Sequence, residues 1–354
     1  MTPKQVKQSL LGLVIVLVLT IGGMLRFQYG SIKNPSTGGS TMGTGYSVKI
    51  SGKVKKTKLK EIDERIKSEL VEINRQMSTW DPKSEISRFN HSESLEGFQC
   101  SEAFAAVVRR ALELSRESGG AFDPTLQPLL NLWGFGSEGE ALKVPTDEEI
   151  AAVKAVTGWE KLRVDETSKL WKTEPELSLA LGAIAKGYGV DAVGRILDET
   201  GFENWFVEIG GEVLAKGVNP DGVPWRIGIQ LPTTNPMDRS LQGIVHVDHG
   251  AIATSGDYRN YMEEDGMVYS HILDPRTGRT VKSDTASVTV CAPNCMDADG
   301  MATALFVMGP KDGLAWVEAM DGVETMFLIR DENGEISERF SSGFKGVTGY
   351  SAGQ

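Results

Sequence analysis

The chain has 354 residues, of which 40% are hydrophobic and 24% charged, and these values are ordinary for a globular protein. Its formal net charge of −11 is uneven, because residues 1–40 hold four basic residues and no acidic one, so that the remainder carries −15 (−11 minus 4). A body this acidic excludes broad nucleic-acid binding, which depends on cationic patches. It also disfavours an anionic ligand, unless a metal ion or a helix N-terminus compensates locally.

The N-terminal segment is uncharged and apolar over residues 8–25, directly after Lys4 and Lys7. This run is nearly long enough to span a bilayer, no small-residue cleavage site follows it cleanly, and it has no cysteine to accept a lipid. We therefore predict an uncleaved membrane anchor over residues 1–27, with a cleaved signal peptide as the alternative. The lysines favour a cytoplasmic N-terminus and a body outside the cytoplasm.

The body follows a polar segment rich in Gly and Ser at residues 28–40, which we interpret as a linker, and it extends over residues 41–350. Apolar periodicity and capping residues predict helices over residues 59–77, 104–118, from 146 onward, 184–200 and 299–308. Alternating or β-branched runs predict strands over residues 46–52, 205–210, 225–231, 243–254, 268–274 and 287–293, and a closing hairpin over 324–335. There is no regular βαβ rhythm, so we predict an α+β fold with mixed or antiparallel sheets and packed helices.

The cysteines are Cys100, Cys291 and Cys295, and they form no disulfide framework. Cys291 and Cys295 lie four residues apart where a strand ends and a proline-containing loop follows. In an extended chain this spacing places the two Cα atoms too far apart for a bridge. We interpret all three cysteines as structural.

A glycine-rich segment, GAIAKGYG, occupies residues 182–189. It differs from the Walker A loop, in which the lysine is followed by Ser or Thr. Two interpretations stay open. Either the small residues allow close helix packing, or Lys186 and the backbone meet the phosphates of a nucleotide or a metal ion.

Asp299 and Thr303 are spaced i, i+4 at a predicted helix start, and therefore share one face of the helix. A carboxylate and a hydroxyl suit Mg²⁺, although an ordinary helix cap with an acidic first turn is the alternative. His271 follows a predicted strand and is a candidate general base, with Asp257 as the second candidate and a structural histidine as the plain alternative. Thr254 and Ser255 lack the Gly-x-Ser-x-Gly pattern of serine hydrolases, which disfavours that class.

These segments occur in one particular order along residues 41–345. They are TMGT at 41–44, MSTW at 77–80 with SEISRFN at 84–90, GAFDPT at 120–125, LWGFG at 132–136, LGAIAKG at 181–187, EIGG at 208–211, TSGDY at 254–258, HILDP at 271–275 and ADGMAT at 298–303. The series closely resembles the ApbE family of FAD:protein FMN transferases. The resemblance implies a T-fold-like α+β body and a Mg²⁺-dependent transfer of FMN from FAD to a Ser or Thr hydroxyl of a partner protein, with release of AMP.

The resemblance also implies roles for particular residues. The expected contacts to FAD come from Met42, Trp80, Ala121, Phe122, Asp123, Lys186 and Ile272. The expected Mg²⁺ ligands are Asp299, Thr303 and, through its backbone carbonyl, Ala183. His271 corresponds to the histidine proposed to activate the acceptor hydroxyl.

Two departures from the family pattern affect the FAD site. Ala180 stands where many members have Asp, and Trp80 stands where many have Tyr. Trp keeps an aromatic face for stacking but lacks the phenol hydroxyl. The missing carboxylate at Ala180 removes one polar contact to the nucleotide.

The family's acceptors include subunits of Na⁺-translocating NADH:quinone reductase and related electron-transfer complexes. A body tethered to the bacterial inner membrane and facing the periplasm would lie beside such complexes. Two further functions stay open. One is a Mg²⁺-dependent FAD pyrophosphatase that yields FMN and AMP, and the other is a flavin-binding protein without catalytic activity.

Overall fold

The structure is a computed structural model that describes residues 30–137, 143–233, 238, 240–257, 261–264 and 267–353, together with Lys4, residues 13–18 and Thr20. Most of the predicted anchor, including much of residues 8–25, lies outside the described residues, while residues 13–18 and Thr20 are helical. In the described part of the chain, no helix is both long and apolar enough to cross a membrane.

The α-helices of the described residues are α1 (Lys56–Met77), α2 (Glu85–Asn90), α3 (Glu102–Glu117), α4 (Gln127–Trp133), α5 (Asp147–Lys154), α6 (Ala185–Glu199), α7 (Cys295–Val317) and α8 (Phe344–Thr348). α7 contains Gly309 in a non-helical conformation (φ 75°, ψ 173°), followed by Pro310, so its axis is interrupted there. The predicted end of a helix at residue 308 is confirmed as this interruption.

The strands of the described residues are β1 (Ser31–Lys33), β2 (Ser36–Thr41), β3 (Thr44–Ile50), β4 (Lys53–Lys55), β5 (Phe98–Gln99), β6 (Leu162–Val164), β7 (Lys169–Lys172), β8 (Trp205–Ile209), β9 (Glu212–Lys216), β10 (Trp225–Gln230), β11 (Leu241–Val247), β12 (His249–Gly256), β13 (Tyr261–Glu264), β14 (Met267–Ser270), β15 (Leu273–Asp274), β16 (Arg279–Thr280), β17 (Thr285–Ala292), β18 (Glu324–Arg330), β19 (Ile336–Phe340) and β20 (Ser351–Ala352).

One eight-stranded sheet organises the body, in the order β19-β18-β17-β12-β9-β8-β3-β2. Each neighbouring pair in it is antiparallel. A smaller sheet of order β10-β11-β20 and the three-stranded sheet β5-β7-β6 accompany it. The prediction of an α+β fold is confirmed, and of the two sheet types allowed for, the antiparallel one is found.

Both faces of the large sheet pack against a hydrophobic core. Because side chains alternate along a strand, neighbouring residues of one strand face different cores. In β12, Ala251 and Ala253 face the main core, which α1, α6 and α7 also line, whereas Ile252 faces a second core beneath the small sheet. β17 is buried at every position for the same reason. α6 and α7 pack against each other on the main-core side, and both contact β9, while α7 also contacts β12.

The structure differs from the predicted elements in several places. The run predicted as one strand over residues 268–274 is divided into β14 and β15, which belong to different two-stranded sheets. The run at residues 243–254 is two strands that belong to different sheets, because the chain turns at Asp248 between β11 and β12. α7 begins at Cys295, capped by Asn294, so Asp299 lies in its second turn and is not the cap. β2 covers residues 36–41, so the sheet begins inside the segment interpreted as a linker.

Candidate active site

A cavity of about 760 Å³ opens between the helix-covered face of the large sheet and the segments around α4 and residues 271–273. Every residue predicted for the site lines it, and they are Met42, Trp80, Ala121, Phe122, Asp123, Ala183, Lys186, His271, Ile272, Asp299 and Thr303. A second cavity of about 410 Å³ continues from it past Met42, Trp80 and Lys186. The structure therefore brings together, from widely separated segments, the residues that the motifs single out.

Lys186 is the central cation of the cavity. It lies in the first turn of α6, and its Nζ is 2.6 Å from Oε1 of Glu212 and 3.5 Å from Oδ1 of Asp299. The two carboxylate side chains are almost completely buried, with 3% and 5% of their surface exposed. This wall of the cavity therefore combines one buried ammonium with two carboxyl groups, and carboxylate oxygens are ligands that a divalent cation accepts.

The pKa values of this cluster reflect burial and its opposing charges. Burial raises the pKa of Glu212 to about 7, and Asp299 adds to this rise while Lys186 opposes it. Burial alone would lower the pKa of Lys186, but the attraction of Asp299 and Glu212 outweighs burial and raises it. Lys186 is therefore charged at neutral pH.

The crossing of α6 and α7 holds Lys186 against Asp299. Gly187 makes the crossing close, since a Cβ atom there would lie 2.2 Å from the carbonyl oxygen of Cys295. The Asp191 carboxylate, one turn along α6, accepts hydrogen bonds from the backbone N–H groups of Cys295 (2.8 Å) and Met296 (2.9 Å). The packing interpretation of the glycine-rich segment is confirmed at Gly187. Lys186 faces the cavity, and its contact with a phosphate or a metal ion stays a prediction.

Asp299 and Thr303 lie on one face of α7, as their spacing predicts. The Thr303 hydroxyl is 3.1 Å from the Ser255 hydroxyl of β12. Ala183 lies in the turn that precedes α6 and lines the same cavity. A carboxylate, a hydroxyl and a backbone carbonyl are hard oxygen donors, and this set fits Mg²⁺, which binds few protein groups and keeps water and phosphate ligands.

A cluster of three or more His, Cys, Asp or Glu side chains able to hold a metal ion is absent from the described residues.

The loop at residues 121–123 forms one wall. Ala121 and Phe122 are buried, and the Asp123 carboxylate accepts hydrogen bonds from the backbone N–H (2.7 Å) and hydroxyl (2.7 Å) of Thr125 and from the backbone N–H of Trp159 (3.0 Å). Burial raises the pKa of Asp123 despite these hydrogen bonds. The side chain of Asp123 therefore fixes the loop that lines the cavity.

Two apolar side chains stand at the entrance. Met42 is the first residue of the two-residue turn between β2 and β3, where its φ of 48° and the φ of 71° at Gly43 match the turns that favour tight hairpins. Trp80 is 75% exposed, although it lines both cavities. An exposed indole beside an open cavity offers a stacking surface for a planar ligand.

His271 follows the end of β14, and Ile272 next to it is buried. The imidazole lies edge-on to Phe135, with ring centroids 6.5 Å apart. Asp257, the second candidate for a base, does not line the cavity and is ion-paired with Arg330 at 2.8 Å, whereas His271 lines the cavity. The geometry therefore favours His271 over Asp257 as the group that meets a ligand.

Glu212 is a cavity residue that the motif reading missed. It follows EIGG at residues 208–211 and is the first residue of β9. Glu212 is followed directly by the apolar residues Val213, Leu214 and Ala215. A carboxylate at the start of such a run is unusual, and that is the signal by which Glu212 could have been found. Its partner Lys186 could not be read from the local sequence.

Comparison with known proteins agrees with this architecture. The model of the ApbE family matches residues 42–327. The chain belongs to the ApbE family.

Relatives in the ApbE family cover nearly the whole body. A Vibrio cholerae protein named FAD:protein FMN transferase is 47% identical over 307 residues, which are 87% of this chain and 90% of that protein. A solved structure described as the flavin transferase ApbE from Vibrio cholerae matches this chain at 44% identity and a TM-score of 0.80, and the match covers 90% of this chain and 99% of that one. The crystal structure of the flavinyl transferase ApbE of Pseudomonas stutzeri, in its apo form, matches at 38% identity and a TM-score of 0.80. This match covers 90% of this chain and 98% of that one.

Proposed function

We propose that the chain transfers FMN from FAD to a side-chain hydroxyl of a partner protein and releases AMP. The observation that carries this proposal is the single cavity that gathers Lys186, Asp299, Thr303 and His271 beside the apolar entrance at Met42 and Trp80. The membership of the ApbE family and the names of its relatives support the same activity.

In this reaction the acceptor oxygen forms a bond to the phosphorus of the FMN half of FAD. The bridging P–O bond of the pyrophosphate breaks, and AMP leaves with its electron pair. His271 takes the proton of the hydroxyl, as a neutral imidazole can. Lys186 supplies a positive charge beside the phosphates.

Asp299, Thr303 and the carbonyl of Ala183 would hold Mg²⁺. When bound there, Mg²⁺ neutralises pyrophosphate charge in a body that is otherwise acidic. Asp299 also depends on Gly187, whose backbone N–H fixes one of its two oxygens at 2.9 Å.

FAD would enter with its isoalloxazine at Met42 and Trp80 and its nucleotide along Ala121, Phe122 and Ile272. Trp80 offers the aromatic face, while Ala180, which also lines the cavity, offers no polar contact. The Asp123 carboxylate would act through the loop that it fixes.

The acceptor would be a subunit of a membrane redox complex, of the Na⁺-translocating NADH:quinone reductase type or related to it. Support comes from the apolar run at residues 8–25 and from the exposure of the side chains at residues 13–18, which are 49–71% exposed. Such a run beside two lysines favours an inner-membrane anchor with the body in the periplasm.

The decisive experiment mixes the full-length chain with FAD, Mg²⁺ and a candidate apo-acceptor. A fluorescent acceptor band that survives denaturation, together with one AMP per labelled acceptor, is the expected result. Release of free FMN and AMP without a labelled band would show an FAD pyrophosphatase instead. Binding of FAD with neither product would show a flavin-binding protein.

A further inference from the structure

The buried Lys186 ammonium is shared unequally between two carboxylates. Oε1 of Glu212 is 2.6 Å from Nζ, whereas Oδ1 of Asp299 is 3.5 Å away. The three groups come from α6, β9 and α7, so their spacing is set by the packing of three elements. The shorter contact makes Glu212 the nearer partner of the Lys186 ammonium in this arrangement.

The two oxygens of Asp299 have different surroundings. Oδ2 accepts a hydrogen bond from the backbone N–H of Gly187 at 2.9 Å, and Oδ1 faces Lys186 beyond hydrogen-bond distance. An ammonium drawn closer to Oδ1 would occupy the direction in which a cation must approach. The availability of Asp299 therefore depends on where the Lys186 ammonium rests.

Glu212 itself is held without a full set of partners. Its Oε2 is buried and has no hydrogen-bond partner among the described residues, and the residue is 2% exposed. A buried carboxylate oxygen without a partner costs free energy, so a simple packing role does not account for this residue. A role at the cavity that it lines does.

We propose that Glu212 is a positioning residue that holds the Lys186 ammonium away from Asp299 and so keeps Asp299 open to the divalent cation. The inference rests on the proposed function, because it assumes a cation at Asp299. Glu212 does not contact the cation in this arrangement. Glu212 acts on the cation site through Lys186, so its effect can be separated from that of a nearby negative charge by changing Lys186.

The test is a comparison of four full-length proteins: the wild type, Glu212→Gln, Lys186→Met, and the variant with both changes. Mn²⁺ is the probe, because it takes the same oxygen ligands as Mg²⁺ and its free form is detected by electron paramagnetic resonance. The titrations contain FAD and no acceptor, so they measure binding and not turnover. Glu85→Gln is the matched control, since Glu85 is also buried (6% exposed) but its carboxylate accepts from Ser101, away from the cavity.

With Lys186 present, Glu212→Gln is expected to weaken Mn²⁺ binding roughly 10–100-fold, the range typical for residues that orient metal ligands. In the Lys186→Met background, Glu212→Gln is expected to have little further effect on Mn²⁺ affinity, because no ammonium remains to be held. Glu85→Gln should leave Mn²⁺ affinity unchanged in both backgrounds.

Equal weakening in both backgrounds would overturn the inference, because Glu212 would then act through its own charge. Unchanged affinity in Glu212→Gln would overturn it as well. Should Glu212→Gln fail to fold, Glu212→Asp keeps the charge with a shorter reach. It should then weaken binding only when Lys186 is present, and equal weakening in both backgrounds would again contradict the proposal.

Failure of the proposed function gives a different result. If the wild-type chain binds no Mn²⁺ in the presence of FAD, there is no cation site at Asp299, and the proposed role of Glu212 is wrong as well. If the wild-type chain binds Mn²⁺ but labels no acceptor, the proposed transferase activity is wrong. The Mn²⁺ affinities of the four proteins still decide the role of Glu212.

Discussion

The backbone N–H of Gly187 donates a hydrogen bond to Oδ2 of Asp299 at 2.9 Å, and this bond joins α6 to α7 at the cavity. It forms only because the two helices approach closely at Gly187, where a Cβ would lie 2.2 Å from the carbonyl oxygen of Cys295 and 2.7 Å from Cα of Met296. The contact that orients the carboxylate and the contact that packs the helices therefore depend on the same glycine.

Gly187→Ala is expected to push α6 away from α7, because backbone atoms cannot move aside as a flexible side chain can. We expect a loss of about 1–3 kcal/mol in the free energy of unfolding, typical of overpacking, and a larger loss of transfer rate. Denaturant melts and turnover measure the two effects. Gly346→Ala is the control, since a Cβ there meets nothing within 4 Å and Gly346 lies in α8. Equal stability of the two variants would contradict the close crossing.

Asp299→Ala is expected to abolish FMN transfer while FAD still binds, more weakly, because the carboxylate is assigned to Mg²⁺ and not to the isoalloxazine. Turnover and FAD affinity measured with and without Mg²⁺ check this expectation. Asp297→Asn is the neighbouring control, because Asp297 is ion-paired with Arg110 at 2.6 Å on the same helix. Normal turnover in Asp299→Ala would contradict the assignment of Asp299 as a Mg²⁺ ligand.

His271→Gln is expected to lower the transfer rate roughly 10²–10⁴-fold, the usual contribution of a general base. Only the neutral imidazole accepts a proton, so the wild-type rate should fall toward acidic pH and the variant should lose that acidic limb. FAD and Mg²⁺ affinities should change far less. A variant with near-normal rate and the same acidic limb would show that His271 is structural.

Asp191→Asn tests the link between α6 and α7 through pH. Burial raises the pKa of Asp191 from 3.8 to about 6, although the backbone N–H groups of Cys295 and Met296 oppose the rise. The folded chain therefore binds this proton more tightly than the unfolded chain, and Asp191 makes stability decline as pH rises from about 4 to about 6. The decline amounts to roughly 2–3 kcal/mol.

The variant cannot ionise at this position and should lack that part of the decline, while it keeps one of the two acceptor oxygens. Urea melts of both proteins across this pH range give the comparison. Parallel stability curves would mean that Asp191 does not titrate in the window.

The N-terminal segment is expected to stay on the mature protein. The apolar run at residues 8–25 is nearly long enough to span a bilayer, and we expect it to serve as an anchor. Mass spectrometry of the protein extracted from membranes should therefore find residues 1–25. A soluble mature form that begins after residue 25 would identify a cleaved signal peptide.

The sequence by itself determined those features whose physical cause is local. The amphipathic period placed α1, α3 and α6 within a few residues of their bounds, and the cap at Thr146 preceded α5, where both bonds of a capping box are formed. The spacing of Asp299 and Thr303 put them on one helix face before any fold was known. The order of the motifs indicated the family, and with it the residues that prove to share one cavity.

Tertiary structure decided what depends on contacts between distant segments. Nothing local to Lys186 indicates that its ammonium lies between Glu212 and Asp299. Nor does the sequence near Asp191 indicate that its carboxylate accepts hydrogen bonds from the first two backbone N–H groups of α7. The strands β11 and β12 likewise enter different sheets although the sequence predicts one continuous strand there, because alternation along a strand defines its faces but not its neighbours. Propensity and period act over a few residues, whereas the charge balance of a buried site depends on which elements the whole chain packs around it.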